Sequence, residues 1–180
     1  MRYFLLDANV LVAYYCADES SSFSREGVVD LFTSQMGGTT FLYLPNFCVV
    51  EILKAFAKKS WAENKFGKGT EADHAFSKLK ATFLTDVVNS KILYSYELSR
   101  RHILLADKIY ERASKISYRS GSPPSSIDVL IIAMGLDLSR IHGQDNFWIV
   151  TADDSVTDIC LDNKKEMPQV VNLGWNRRKG

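Results

Sequence analysis

Short apolar runs alternate along the chain with longer amphipathic stretches, and this alternation predicts strands interleaved with helices. Residues 3–6, 40–44, 92–94, 148–151 and 169–173 read as strands, each brief and largely apolar. Residues 10–15, 25–35, 45–59, 71–88, 100–117 and 128–138 read as helices, with Pro45 suited to a first helical position. Strands separated by helices imply a parallel sheet covered on both faces. The expected fold is therefore α/β, a three-layer α/β/α sandwich around a mainly parallel sheet of about five strands. Residues 67–70 and 120–124, rich in Gly, Ser and Pro, are expected to be the most mobile connections.

Against this pattern, four acidic residues stand in or beside apolar runs, where a charge is costly to bury without a partner, a hydrogen-bond network or a cation. Asp7 ends the first strand, Glu51 interrupts Val49-Val50 and Ile52-Leu53 on a helix, Asp128 opens the apolar stretch 129–136, and Asp153 follows the strand ending at Thr151. Each has an ordinary explanation when taken alone. Asp128 would serve a helix dipole, Asp153 a turn, and Glu51 would pair with Lys54 or Lys58 on its own helix. One metal site accounts for all four together. Two strand ends and two helix positions can converge above the edge of a parallel sheet.

The chain has 180 residues, 46% hydrophobic and 24% charged, enough for one sizeable core and for a single domain over 1–180. No apolar run approaches the roughly 20 residues of a membrane helix, and the amino terminus has no leader pattern, so a cytoplasmic protein away from the membrane is expected. Cys16, Cys48 and Cys160 are odd in number and set among apolar neighbours, which fits reduced core thiols. The net charge of +1 does not announce a nucleic-acid binder, but its distribution is uneven. Lys54, Lys58, Lys59, Lys65, Lys68, Lys78 and Lys80 crowd one stretch, with Trp61 and Phe66 among them. That stretch reads either as a phosphate-tracking face or as a solvated helical surface. Residues 60–90 make a helical insertion in this reading, and 175–180 a basic tail.

The ordered set of motifs resembles the PIN domain. Leu5-Leu6-Asp7-Ala8-Asn9-Val10-Leu11-Val12 comes first, then Val-Val-Glu-Ile-Leu around Glu51, Ser126-Ile127-Asp128 before an apolar helix, and Val150-Thr151-Ala152-Asp153. The resemblance spans nearly the whole chain. It implies a divalent-metal-dependent ribonuclease, most familiarly the VapC-type toxin of a toxin-antitoxin pair. It further implies RNA as substrate, an antitoxin partner, a homodimer, and Asp7, Glu51, Asp128 and Asp153 as the acidic quartet. Hard oxygen ligands without nearby His or Cys favour one or two Mg2+ or Mn2+ ions, with a metal-acidified water as the expected nucleophile. Asn9 would orient Asp7, and Thr151 would hydrogen-bond a neighbouring ligand.

Two other readings compete. A haloacid-dehalogenase-like phosphatase also places an aspartate after its first strand, but needs an acid two residues on, where this chain has Asn9. A PIN-like scaffold that binds nucleic acid or protein without cutting keeps the fold and drops the chemistry.

Overall fold

The computed structural model describes residues 1–16, 25–88, 92–120 and 125–173. Five parallel strands form one sheet: β1 (Arg2–Leu6), β2 (Thr40–Pro45), β3 (Tyr94–Tyr96), β4 (Phe147–Thr151) and β5 (Gln169–Asn172), in the order β3-β2-β1-β4-β5. The register pairs Leu5 with both Tyr43 and Ile149, so β1, β2 and β4 end nearly level.

Seven α-helices connect these strands among the described residues. They are α1 (Ala8–Cys16), α2 (Arg25–Met36), α3 (Cys48–Ala57), α4 (Thr70–Val88), α5 (Arg100–Ser120), α6 (Ser126–His142) and α7 (Asp154–Asp162). A π-helical turn, Lys58–Ala62, continues α3. The chain steps from β1 to β2 to β3 in one direction across the sheet, then returns past β1 to β4 and on to β5. Parallel crossovers are right-handed, so the outward and return connections lie on opposite faces. Accordingly α1 packs with α2, α3 and α4, while α6 packs with α5 and α7. This is the expected α/β/α sandwich.

Leu5, Leu6, Leu42, Leu44, Phe147, Ile149 and Val150 are fully buried between the layers. Strands covered on both faces need such near-continuous apolar runs. At Gly135 the backbone of α6 comes so near β4 that an added Cβ would stand 2.6 Å from Ile149 Cδ1. This contact lets α6 lie close on the sheet and fixes where its amino terminus falls.

The structure corrects several boundaries. Pro45 closes β2 instead of opening a helix, and α3 begins at Cys48. The third strand is Tyr94–Tyr96, two residues later than expected at its start and end, and α7 was not anticipated at all. The connection at 67–70 is described, with Gly67 and Gly69 at φ 101 and 57, values that favour glycine. Residues 121–124 and the tail 175–180 lie outside the described residues. Cys16, Cys48 and Cys160 are buried, as expected of core thiols. No helix among the described residues is long and apolar enough to cross a membrane.

Candidate functional site

The strand order reverses at β1, whose neighbours β2 and β4 lead to opposite connections. In an open parallel sheet the crevice beyond the carboxyl ends at such a point is the usual ligand site. Asp7 stands there. Its backbone N–H donates to Val150 O at 3.0 Å, extending the β1–β4 ladder by one rung before α1 begins.

The Asp7 side chain is 6% exposed and held by neutral donors. Thr151 Oγ1 donates to Asp7 Oδ2 at 2.7 Å, and Asn9 Nδ2 donates to the same oxygen at 2.8 Å. Both donors are themselves fixed. Asn9 Oδ1 accepts the Ala152 N–H at 3.2 Å, and Thr151 Oγ1 accepts the Asp153 N–H at 2.9 Å. Asn9 and Thr151 thus both hold the Asp7 carboxylate by hydrogen bonds to one oxygen.

Hydrogen bonds carry this order onward. Asp153 is the N-cap of α7, and its Oδ1 accepts the Ser155 N–H at 2.7 Å. Ser155 Oγ then donates to Asp128 Oδ2 at 2.9 Å. Asp128 also completes a capping box on α6: its Oδ2 accepts the Ser125 N–H at 3.1 Å while its own N–H donates to Ser125 Oγ. The ordinary capping explanations for Asp128 and Asp153 are thus true, and they coexist with a shared network. Ser155 was missed from the sequence, although a hydroxyl two residues past an N-cap aspartate is placed to reach across to a neighbouring helix.

Glu51 differs from the others. It lies in the first turn of α3, solvent-exposed, between exposed Val50 and fully buried Ile52. The expectation of a costly buried charge fails here, because helical periodicity turns position 51 outward. Among the described residues no hydrogen bond ties Glu51 to the network, and it acts on Asp7 through its field.

That field is visible in Asp7. Burial chiefly, with the negative charges of Glu51 and Asp128, lifts its pKa from 3.8 to about 6 against the lowering effect of Thr151 and the Ala8 N–H. The buried Cys48 thiol is pushed up as well, by burial first and then by Asp7 and Glu51, and stays protonated. Among the described residues none of the four carboxylates forms an ion pair. All four stand at or beside a helix amino terminus, whose dipole offsets part of the negative charge. They do not close into a compact shell: among the described residues, no three His, Cys, Asp or Glu side chains lie near enough to grip a metal ion together.

Comparison with known proteins adds the fold. No family model matches the chain, and neither does any curated protein. Solved structures do match. FitAB bound to an IR36 DNA fragment is similar at TM-score 0.57 and 16% identity over 95% of each chain. VapBC2 from Rickettsia felis, bound to a DNA fragment from their promoter, is similar at TM-score 0.53 and 14% identity, over 94% of this chain and 98% of that one. FitAcB from Neisseria gonorrhoeae is similar at TM-score 0.53 and 16% identity, over 94% and 97%. The chain shares their fold over 94 to 95% of its length. At such identities the likeness concerns the backbone, and the chemistry rests on the residues described above.

Proposed function

We propose that this chain is a PIN-domain ribonuclease dependent on a divalent metal, acting as the toxin of a toxin-antitoxin pair. The observation that carries the chemistry is Asp7, a buried carboxylate at the sheet's switch point that, among the described residues, meets two further acids and no cation. The fold shared with VapBC2 and FitAB chains supports the biological setting, with an antitoxin as the partner of this chain and a homodimer as its assembly.

Asp7, Glu51, Asp128 and Asp153 are the residues that would hold magnesium or manganese. The donors are oxygen only, anionic and without counter-charge, which suits a hard cation. Their open spacing suits direct contact through one or two carboxylates, with water joining the others, as magnesium commonly binds. Such an ion would supply positive charge at the scissile phosphate and acidify a water. The chain's own part is orientation: Asn9 and Thr151 aim Asp7, Ser155 and Ser125 aim Asp128, and the α7 amino terminus fixes Asp153.

Cleavage of a labelled single-stranded RNA in manganese or magnesium tests this reading, with a chelator control and Asp7→Asn. Metal-dependent cutting should fall by about three orders of magnitude in the variant, the equivalent of about 4 kcal/mol of transition-state stabilisation. RNA binding with no metal-dependent cutting in the native chain would instead favour the non-cleaving scaffold.

A further inference from the structure

The carboxylate network leaves one feature unused. On α3 and the π-helical turn, Ile52, Phe56 and Ser60 point inward and are fully buried. Glu51, Lys54, Lys58 and Trp61 therefore share the solvent side. Lys54 and Lys58 are stacked at i and i+4, an arrangement of like charges that weakens a helix slightly. Lys54 forms no ion pair among the described residues, and Lys58 meets only Glu63, at 3.3 Å, with both side chains well exposed. Exposed pairs of that kind are weak and readily exchanged for another anion. Trp61 is 49% exposed, yet it is held in place: its indole N–H donates to Asp73 Oδ1 at 3.0 Å and its ring packs on Phe76 at 4.5 Å between centroids.

We propose that this face, running from Glu51 through Lys54 and Lys58 to Trp61, is the track on which a single-stranded RNA lies as it leaves the carboxylate site. The proposal rests on the nuclease reading and adds the residues that position its substrate. At 1.5 Å of rise per residue, Lys54 and Lys58 stand roughly 4.5 and 10 Å beyond Glu51 along the helix axis. A strand with one phosphate at the carboxylates thus passes the two ammonium groups in succession. Lysine meets phosphate as a point charge, without demanding a base. Beyond them, Trp61 packs on Phe76 at a tilt of 38° and is half-exposed, a platform on which any unpaired base can stack. A duplex would not offer its bases to that ring, which favours a single strand over a double helix.

The test is anisotropy of a labelled single-stranded oligoribonucleotide with the full chain in chelator, where binding is read without cleavage. Lys54→Glu/Lys58→Glu should weaken binding at least tenfold and make the dependence of log affinity on log salt shallower by roughly 1.4, the value for two phosphate contacts to a single strand. Glu63→Gln, which releases Lys58, should tighten binding. RNA should quench Trp61 fluorescence, and that quench should vanish in Trp61→Phe. Lys164→Glu/Lys165→Glu, an equal change of charge near the start of β5, is the control and should lose much less affinity. An unchanged affinity and salt slope in the α3 variant, or a loss no larger than the control's, overturns the track, and an antitoxin would then be the better occupant of this face. The two readings fail separately: a native chain that does not cut but binds RNA through Lys54 and Lys58 sinks the nuclease and keeps the track. A native chain that cuts while the α3 variant binds normally does the reverse.

Discussion

Two aspartates of this protein are equally withdrawn from water, Asp7 at 6% and Asp137 at 5% exposure, and the chain treats them in opposite ways. Asp137, on α6, is supplied with positive charge and donors. Its Oδ2 meets Arg101 at 2.5 Å and His102 Nε2 at 3.1 Å, and accepts the Tyr96 hydroxyl. The Ser99 backbone N–H donates to His102 Nδ1 at 3.0 Å, which puts the imidazole proton of the neutral ring on Nε2, facing Asp137. The Tyr96 hydroxyl, beside this carboxylate and partly buried, is pushed up to about 12. One carboxylate thereby joins β3, α5 and α6. Among the described residues Asp7 receives only amide and hydroxyl donors and feels two further acids. A buried acid that carries its own cation is part of the architecture, whereas one held by neutral donors alone is disfavoured in its ionised form.

The largest expected effect follows from this contrast. Asp137→Ala strands the fully buried His102 N–H and removes the anchor of the short edge strand, and should cost about 4 kcal/mol, roughly 10 °C in Tm for a chain of this size. Asp7→Asn should do the opposite. Ionised Asp7 is disfavoured in the fold, since its pKa rises from 3.8 to about 6. The native state then holds a proton that the unfolded chain has released, so stability falls as pH rises from about 4 to about 6 and is level above that. Without divalent metal at pH 7.5, Asp7→Asn should therefore melt higher than the native chain by up to roughly 3 kcal/mol. Near pH 4 the gain should vanish. If both substitutions destabilise to a similar degree at neutral pH, the two aspartates are alike and the contrast is lost.

A smaller effect falls on Thr151, whose hydroxyl lowers the Asp7 pKa and whose oxygen accepts from Asp153 N–H. Thr151→Val should cost about 1 to 2 kcal/mol in stability. It should also slow RNA cleavage by roughly 10- to 100-fold, the usual range for a residue that orients a metal ligand. The alkaline shift is the informative part: without the hydroxyl Asp7 ionises at higher pH, so the acid limb of the pH–rate profile should move upward. An unmoved limb with reduced activity would show Thr151 to be packing alone.

The same contrast shows what the sequence could reveal. Asp7 was legible because a strand's carboxyl end and an apolar helix flank it closely, leaving no route to water in either element. Asp137 carries the same signal, standing between Leu136 and Leu138, yet its partners Tyr96, Arg101 and His102 lie some 35 to 41 positions away, and no local pattern announces them. Glu51 was placed correctly on its helix but on the wrong side, since the choice between exposed Val50 and buried Ile52 depends on how α3 seats on α1. The helix α7 escaped notice because Asp153 and Asp154 together look like a turn. The structure shows that this turn is an N-cap, and that the hydroxyl two residues later is what brings Asp128 into the network.

Ser155 gives the finest test. Asp128 has two neighbours with different meanings: Ser125 caps the helix with it, and Ser155 ties it to the site. If Asp128 served the helix alone, Ser125→Ala would cost about 1 kcal/mol and leave metal binding intact, and Ser155→Ala would change nothing. If Asp128 serves the site, Ser155→Ala should barely alter stability, by about 0.5 kcal/mol, because Asp153 Oδ1 still accepts the backbone N–H of residue 155. It should nonetheless diminish the rise in Tm that manganese produces, since a ligand bound only to the folded state stabilises in proportion to its affinity. A full manganese shift in both Ser155→Ala and Ser125→Ala would return Asp128 to the helix and leave Asp7, Glu51 and Asp153 to hold the ion.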